Sequence, residues 1–364
     1  MSEYVVTSVK NQIGFITLDR PKALNSLSLD MVRSITAALL KWRDNNDIRA
    51  VFIHSSSEKA LCAGGDIRFF YDVGTSTPTG DSALLEDFFT EEYALNHLIH
   101  FYPKPYIALM NGVVMGGGMG IAQAGPDSCL RIVTERTKMA MPEVNIGLFP
   151  DVGGGYFLSR TPGKIGTYLG LTGEIIGAAD ALYAGLADVF IPTNEIPGLI
   201  DFLSNSDASD LRKAIHDFAS PYATQAEPAQ SKLAVQRTHI DALFSGNSVM
   251  NITEALKKNT SVFAQSTLAT MEKRSPLLMC VTLEQLRRSA SMSVSDCLRM
   301  ERNMVRHCFK HGEVLEGVRA LVVDKDNQPK WSPAHLSEVS EDMVTGFFKE
   351  VWPTYAHPLH SLQG

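Results

Sequence analysis

The chain has 364 residues, 45% apolar and 20% charged, with a formal net charge of −7. At roughly 150 residues per domain this predicts about two domains, with enough core to need neither disulfides nor a metal. The acidic balance argues against a nucleic-acid partner but leaves room for a local basic pocket that takes a small anion.

Residues 4–9 and 13–18 read as two short strands around a Lys10-Asn11-Gln12 turn. The start of the chain has neither a basic segment followed by an apolar one nor an Arg-rich transit pattern. The expected location is therefore the cytoplasm, with the mitochondrial matrix left open to a presequence already removed. The segment Arg20-Pro21-Lys22-Ala23-Leu24-Asn25 leads into a helix with Ser28 as its N-cap. Met31, Ile35, Ala38, Leu39 and Trp42 recur on one face of that helix. Residues 50–54 read as a short buried strand, and residues 105–110 as another, running into Asn111-Gly112 and Gly116-Gly117-Gly118. Residues 129–133 and 188–191 are further strands, the latter after a helix-like stretch at 178–184. This alternation predicts an α/β catalytic core over residues 1–195. From there on, residues 199–203, 211–218, 252–256, 262–269 and 277–286 show helical apolar spacing. Residues 196–364 are thus expected to form a mostly helical C-terminal region packed on the core. No apolar run approaches the roughly 18 residues of a spanning helix, so no membrane partner is expected. The five cysteines are scattered without a C-x-x-C pair, which suggests free thiols in a reducing compartment.

Glycine clusters are the most conspicuous features and the easiest to misread. None fits the dinucleotide pattern G-x-G-x-x-G, and Gly163-Lys164 is followed by Ile165, so no phosphate loop is present. No H-E-x-x-H or G-x-S-x-G pattern occurs either, and no metal site is expected. Two clusters follow predicted strands, Cys62-Ala63-Gly64-Gly65-Asp66 and Gly116-Gly117-Gly118. Such turns either serve close backbone packing or leave N–H groups free to stabilise an oxyanion, each worth on the order of 3 kcal/mol. Cys62, beside the first turn, is either a nucleophile or a small buried hydrophobe. Glu143 and Asp151 each follow a proline, eight residues apart in an otherwise apolar stretch. An apolar wall raises a carboxylate pKa and suits acid–base chemistry. The alternative is structural, with Asp151 capping a helix that starts near Gly155 and Glu143 paired with a lysine.

Residues 20–25, 62–66, 111–118 and 141–155 resemble, in order and spacing, the motifs of the crotonase (enoyl-CoA hydratase/isomerase) superfamily. Glu91-Glu92-Tyr93, residues 146–158, Glu316-Gly317-Val318-Arg319-Ala320 and Asp324-Lys325-Asp326 narrow the resemblance to its 3-hydroxyisobutyryl-CoA hydrolase branch. The extra length beyond simple crotonases falls in the helical region that holds these late motifs. The resemblance implies an α/β fold, a spiral of ββα units with two roughly perpendicular sheets, followed by helices. It also implies an acyl-CoA substrate whose CoA is no separate cofactor, and assembly into homo-oligomers that the enlarged helical region either supports or blocks. By analogy with the family, the backbone N–H groups of Gly65 and Gly117 are the oxyanion donors. Glu143 is the main catalytic carboxylate, acting as nucleophile or general base, and Asp151 is the second. Glu92 contacts substrate, Asp66, Ile67 and Arg68 line the CoA wall with Gly65, and Lys22 and Arg68 meet CoA phosphates. Hydratases of the family place a second glutamate three residues after the middle glycine of the triple-glycine run, where this chain has Gly120. The expected reaction is therefore hydrolysis of a short 3-hydroxyacyl-CoA thioester, as in valine breakdown. Enoyl-CoA isomerisation or hydration, and CoA binding without turnover, are the rival readings.

Overall fold

The computed structural model describes residues 2–77, 82–123, 125 and 129–364. Contacts divide the chain into two compact units. The first is built from Met1–Gly65, Ala94–Ala140 and Ile175–Val235, the second from Asp66–Tyr93, Met141–Glu174 and Gln236–Gly364.

The first unit holds every described strand. β1 (Val5–Lys10) and β2 (Ile13–Leu18) form an antiparallel hairpin, Val5 opposite Leu18. Its two loop residues, Asn11 and Gln12, have φ of +47° and +60°. That left-handed pair matches the twist of the flanking strands. β2, β3 (Ala50–Ser55), β5 (Tyr106–Met110), β7 (Cys129–Val133) and β9 (Val189–Phe190) then run parallel, giving a six-stranded sheet in the order β1-β2-β3-β5-β7-β9. A parallel sheet covered on both faces explains why these strands are continuous apolar runs and show no alternation. On one face Phe15, Phe52, Ile107 and Ile132 pack against Leu199, Leu203, Leu211 and Ile215. Each such side chain contributes about 1.5–3 kcal/mol by leaving water. These contacts dock the helices Ile196–Asn205 and Leu211–Ala219 on the sheet. In the helix Leu29–Arg43, Ser28 Oγ accepts the Met31 N–H at 3.3 Å, and Met31, Ile35, Ala38, Leu39 and Trp42 are all buried, as their spacing predicts.

A second sheet comes from three-residue strands that periodicity does not reveal. β4 (Ala60–Cys62), β6 (Val113–Met115) and β8 (Lys138–Ala140) pair in parallel in the order β4-β6-β8. Successive pairs β3β4, β5β6 and β7β8 therefore place one strand in each sheet, which is the repeating step of a ββα spiral. The glycine turns follow the short strands β4 and β6, one strand later than the sequence suggests.

Every described regular element of the second unit is a helix. Phe70, Phe88, Phe89 and Phe309 cluster there, with ring centroids 4.9 Å apart for Phe70–Phe88 and 5.6 Å for Phe89–Phe309. The buried Arg302 guanidinium pairs with Glu86 and donates to Thr90 Oγ1 at 3.0 Å. After β9 every described element is helical, as expected beyond residue 195. The two units nevertheless interleave along the chain, so a single cut near 195 marks a change of element type and follows neither unit's boundary.

Candidate active site

In the first unit, β4 pairs parallel with β6, Ala60 opposite Val113, so the chain leaves both strands at the same end. The two turns that follow are pressed together: a Cβ on Gly118 would lie 2.2 Å from the Cys62 carbonyl oxygen. Gly116, with φ +49°, caps the short helix Gly117–Gly120. As the first helical residue, Gly117 has an N–H outside that helix's own ladder. Beside it, the Leu27 N–H donates to Gly64 O at 2.8 Å. No acceptor for the Gly65 or Gly117 N–H is found among the described residues. Gly120 closes the same short helix and is buried, so the place of a hydratase-type glutamate carries no carboxylate.

The second unit holds the carboxylates. Glu143 opens the 3₁₀ turn Glu143–Ile146 and is 6% exposed, with no hydrogen-bond partner for Oε2 among the described residues. Burial drives its pKa well above the usual carboxylate range, and the charges of Asp151, Glu92 and Glu301 push the same way. Glu92, on the helix Ala83–His100, is also buried, with Oε1 unpartnered; burial and then the Asp151 charge raise its pKa. Asp151 accepts a hydrogen bond from the Tyr93 hydroxyl at 2.7 Å. Burial lifts its carboxyl to about 6, while the Tyr93 bond and a backbone N–H pull it down. Neither structural alternative for this pair is found. The helix Gly154–Ser159 is capped by Gly153 with no side-chain cap bond, and no lysine pairs with Glu143 among the described residues.

Sequence reasoning missed a fourth acid. Glu301, on the helix Val294–His311, is fully buried. It accepts the Gly153 N–H at 2.8 Å, the Gly155 N–H at 3.0 Å and the Gln285 side-chain amide at 3.0 Å. Burial lifts it to about 8, against the lowering effect of those N–H donors. Its signal was present in the sequence as an acid on the apolar stripe Val294, Leu298, Val305, Cys308. Tyr93, too, lies in the Glu91-Glu92-Tyr93 motif, where nothing local marks its role.

The remaining expected residues are more locally engaged. The Asp66 side chain accepts the Phe69 N–H at 3.3 Å and caps the helix Ile67–Ser76, which Ile67 begins. Arg68 is exposed and paired with Asp72 at 3.0 Å, and Lys22 is exposed in the turn Pro21–Ala23. Cys62 is fully buried, as a small hydrophobe would be. The buried Asn25 donates to Ser55 Oγ and to the carbonyls of Ala60 and Leu61, so this motif braces the β3–β4 connection.

The pattern of the enoyl-CoA hydratase/isomerase family matches residues 13–348. The chain belongs to that family. Among curated relatives, the 3-hydroxyisobutyryl-CoA hydrolase, mitochondrial, of Xenopus tropicalis is 42% identical over 338 residues, 92% of this chain and 86% of the relative. Two solved structures have the same fold. A carnitinyl-CoA dehydratase from Mycobacterium thermoresistibile superposes with TM-score 0.88 at 39% identity, covering 97% of this chain and 98% of its own. An enoyl-CoA hydratase from Rhodobacter sphaeroides gives 0.85 at 34%, covering 96% and 98%. The crotonase spiral expected from the motifs is thus the fold of this family member.

Proposed function

We propose that this family member hydrolyses the thioester of a short 3-hydroxyacyl-CoA, with 3-hydroxyisobutyryl-CoA as substrate. The observation that carries the reading is the buried pair Glu143 and Asp151, together with Gly120 where a hydratase would hold its second glutamate. The name of the curated hydrolase relatives supports the same substrate. Their mitochondrial label favours the matrix over the cytoplasm among the two locations weighed above.

In this reading the Gly65 and Gly117 amides stabilise the oxyanion that forms when an oxygen adds to the thioester carbon. The oxygen comes from water that gives its proton to Glu143, or from Glu143 itself, whose acyl anhydride water then opens. The C–S bond breaks as the carbonyl reforms, and the CoA thiolate takes up a proton. Asp151 orients the water or the substrate hydroxyl and shares charge with Glu143, so the two titrate as a pair. Glu92 contacts the acyl group, while Asp66, Ile67, Arg68 and Lys22 lie along the CoA.

Free thiol released from 3-hydroxyisobutyryl-CoA is the direct assay. Glu143→Gln and Asp151→Asn are each expected to lower kcat roughly 100-fold or more, the usual scale for a positioned acid or base. Full activity in both variants would sink the assignment. The names of the two solved relatives, a dehydratase and a hydratase, point instead to water addition or removal at a double bond. Enoyl-CoA turnover without thiol release would favour that chemistry.

A further inference from the structure

We propose that Glu301, clamped by Gln285, is a positioning residue that aims Asp151 by holding the turn of residues 150–155 from behind. The proposal rests on the hydrolytic reading above for what Asp151 does, and on the following geometry for how it is held.

The turn is not one the chain adopts by local preference. Val152 has φ +53° and Gly153 φ +84°. A β-branched residue in the left-handed region costs on the order of 1–3 kcal/mol and persists only where its surroundings over-determine it. Here the surroundings are Glu301 and Gln285. The two Glu301 oxygens take the N–H groups of Gly153 and Gly155, on either side of Gly154. The Gln285 amide donates to Glu301 Oε1 at 3.0 Å and to the Pro150 carbonyl at 2.7 Å, just before Asp151. Both ends of the segment are thereby tied to the helices Pro276–Ser289 and Val294–His311, and the Asp151 carboxylate is left to accept the Tyr93 hydroxyl. The fit is close enough to dictate residue 155. A Cβ there would lie 2.4 Å from Ser289 Oγ and 3.1 Å from Glu301 Oε1.

The charged and titratable groups facing Glu301 are Asp151, Glu143 and Tyr93 from the packed segments, and Cys297 from its own helix. At about 8 it keeps its proton through neutral pH and becomes a negative neighbour of Glu143 only above that. The decisive variant is Glu301→Gln, which keeps size and burial but turns one acceptor oxygen into a donor facing an N–H. On 3-hydroxyisobutyryl-CoA, kcat is expected to fall about 10- to 100-fold, since a misplacement of ~1 Å has effects of that size, with KM within about threefold. Leu298→Ala, a buried apolar change on the same helix that removes no hydrogen bond to the turn, serves as the control for lost packing and is expected to keep kcat near the parent's. Amide exchange at Gly153 and Gly155 is expected to quicken about tenfold in Glu301→Gln, whatever the substrate. Parental kcat and exchange in Glu301→Gln, or an equal loss of kcat in Leu298→Ala, would overturn the proposal. If the parent releases no thiol, the hydrolytic reading fails by itself, and the exchange comparison still decides the role of Glu301.

Discussion

A carboxylate costs most where water cannot reach it, and Glu92, Glu143, Asp151 and Glu301 are each at most 6% exposed. Burial raises all four, with repulsion adding to it at Glu92, Glu143 and Glu301, while the Tyr93 hydroxyl pulls Asp151 down. Tyr93→Phe removes a donor to the charged form of Asp151. Its carboxyl, now near 6, is therefore expected to climb, as followed by carbon NMR titration. The same change leaves a buried acceptor short of a partner, at a cost of about 1–3 kcal/mol in denaturant unfolding. Glu143 and Asp151 were legible as candidates because proline-led acids in an apolar stretch are a local anomaly. Glu301 shows locally only as an acid on an apolar helix face and Tyr93 not at all, because what gives each its role is a partner 148 and 58 residues away. Such a partner leaves no trace in local spacing.

Strand length decides what can be read among the elements. β2, β3, β5 and β7 have five or six residues and match their apolar runs to within a residue. β4, β6 and β8 have three each, too few for any period, and their glycine-rich flanks read as turns. Yet these strands fix where the Gly65 and Gly117 turns stand. Gly118→Ala tests that arrangement. Its Cβ would meet the Cys62 carbonyl oxygen, a backbone atom that can yield only if the whole turn moves. Overpacking of this kind costs about 1–3 kcal/mol, and hydrolysis is expected to fall with it. Gly346→Ala, where an added Cβ meets nothing within 4 Å, is expected to stay within about 0.5 kcal/mol of the parent. Thermal melting of the two variants makes the comparison.

For the molecule as a whole, the raised acids set the pH dependence of stability. Asp151 lies at about 6, Glu313 at about 7 and Glu301 at about 8 in the folded chain, above their ordinary values through burial. Below the unfolded values both states hold the protons, and these groups carry no penalty. As pH rises from about 4 to 8 the unfolded chain releases them first, so unfolding becomes easier. Each group is expected to contribute a slope on the order of 1.4 kcal/mol per pH unit inside its own window, read from denaturant midpoints at several pH values. Glu301→Gln is expected to flatten the upper part of that decline. Asp188, held below its ordinary value by Arg131, acts in the opposite sense at lower pH.

Local spacing settles the hairpin at the start, the run of buried strands, the helical character beyond residue 195 and the two proline-led acids. All of these follow from spacing within a dozen residues, which is the range over which side-chain periodicity carries information. Long-range pairing alone decided that the three short strands form a sheet of their own. It also decided that Tyr93 meets Asp151 and that a buried glutamate on a late helix holds the strained turn beside it. Those outcomes depend on which distant groups must satisfy one another once water is gone, and no local pattern encodes that choice.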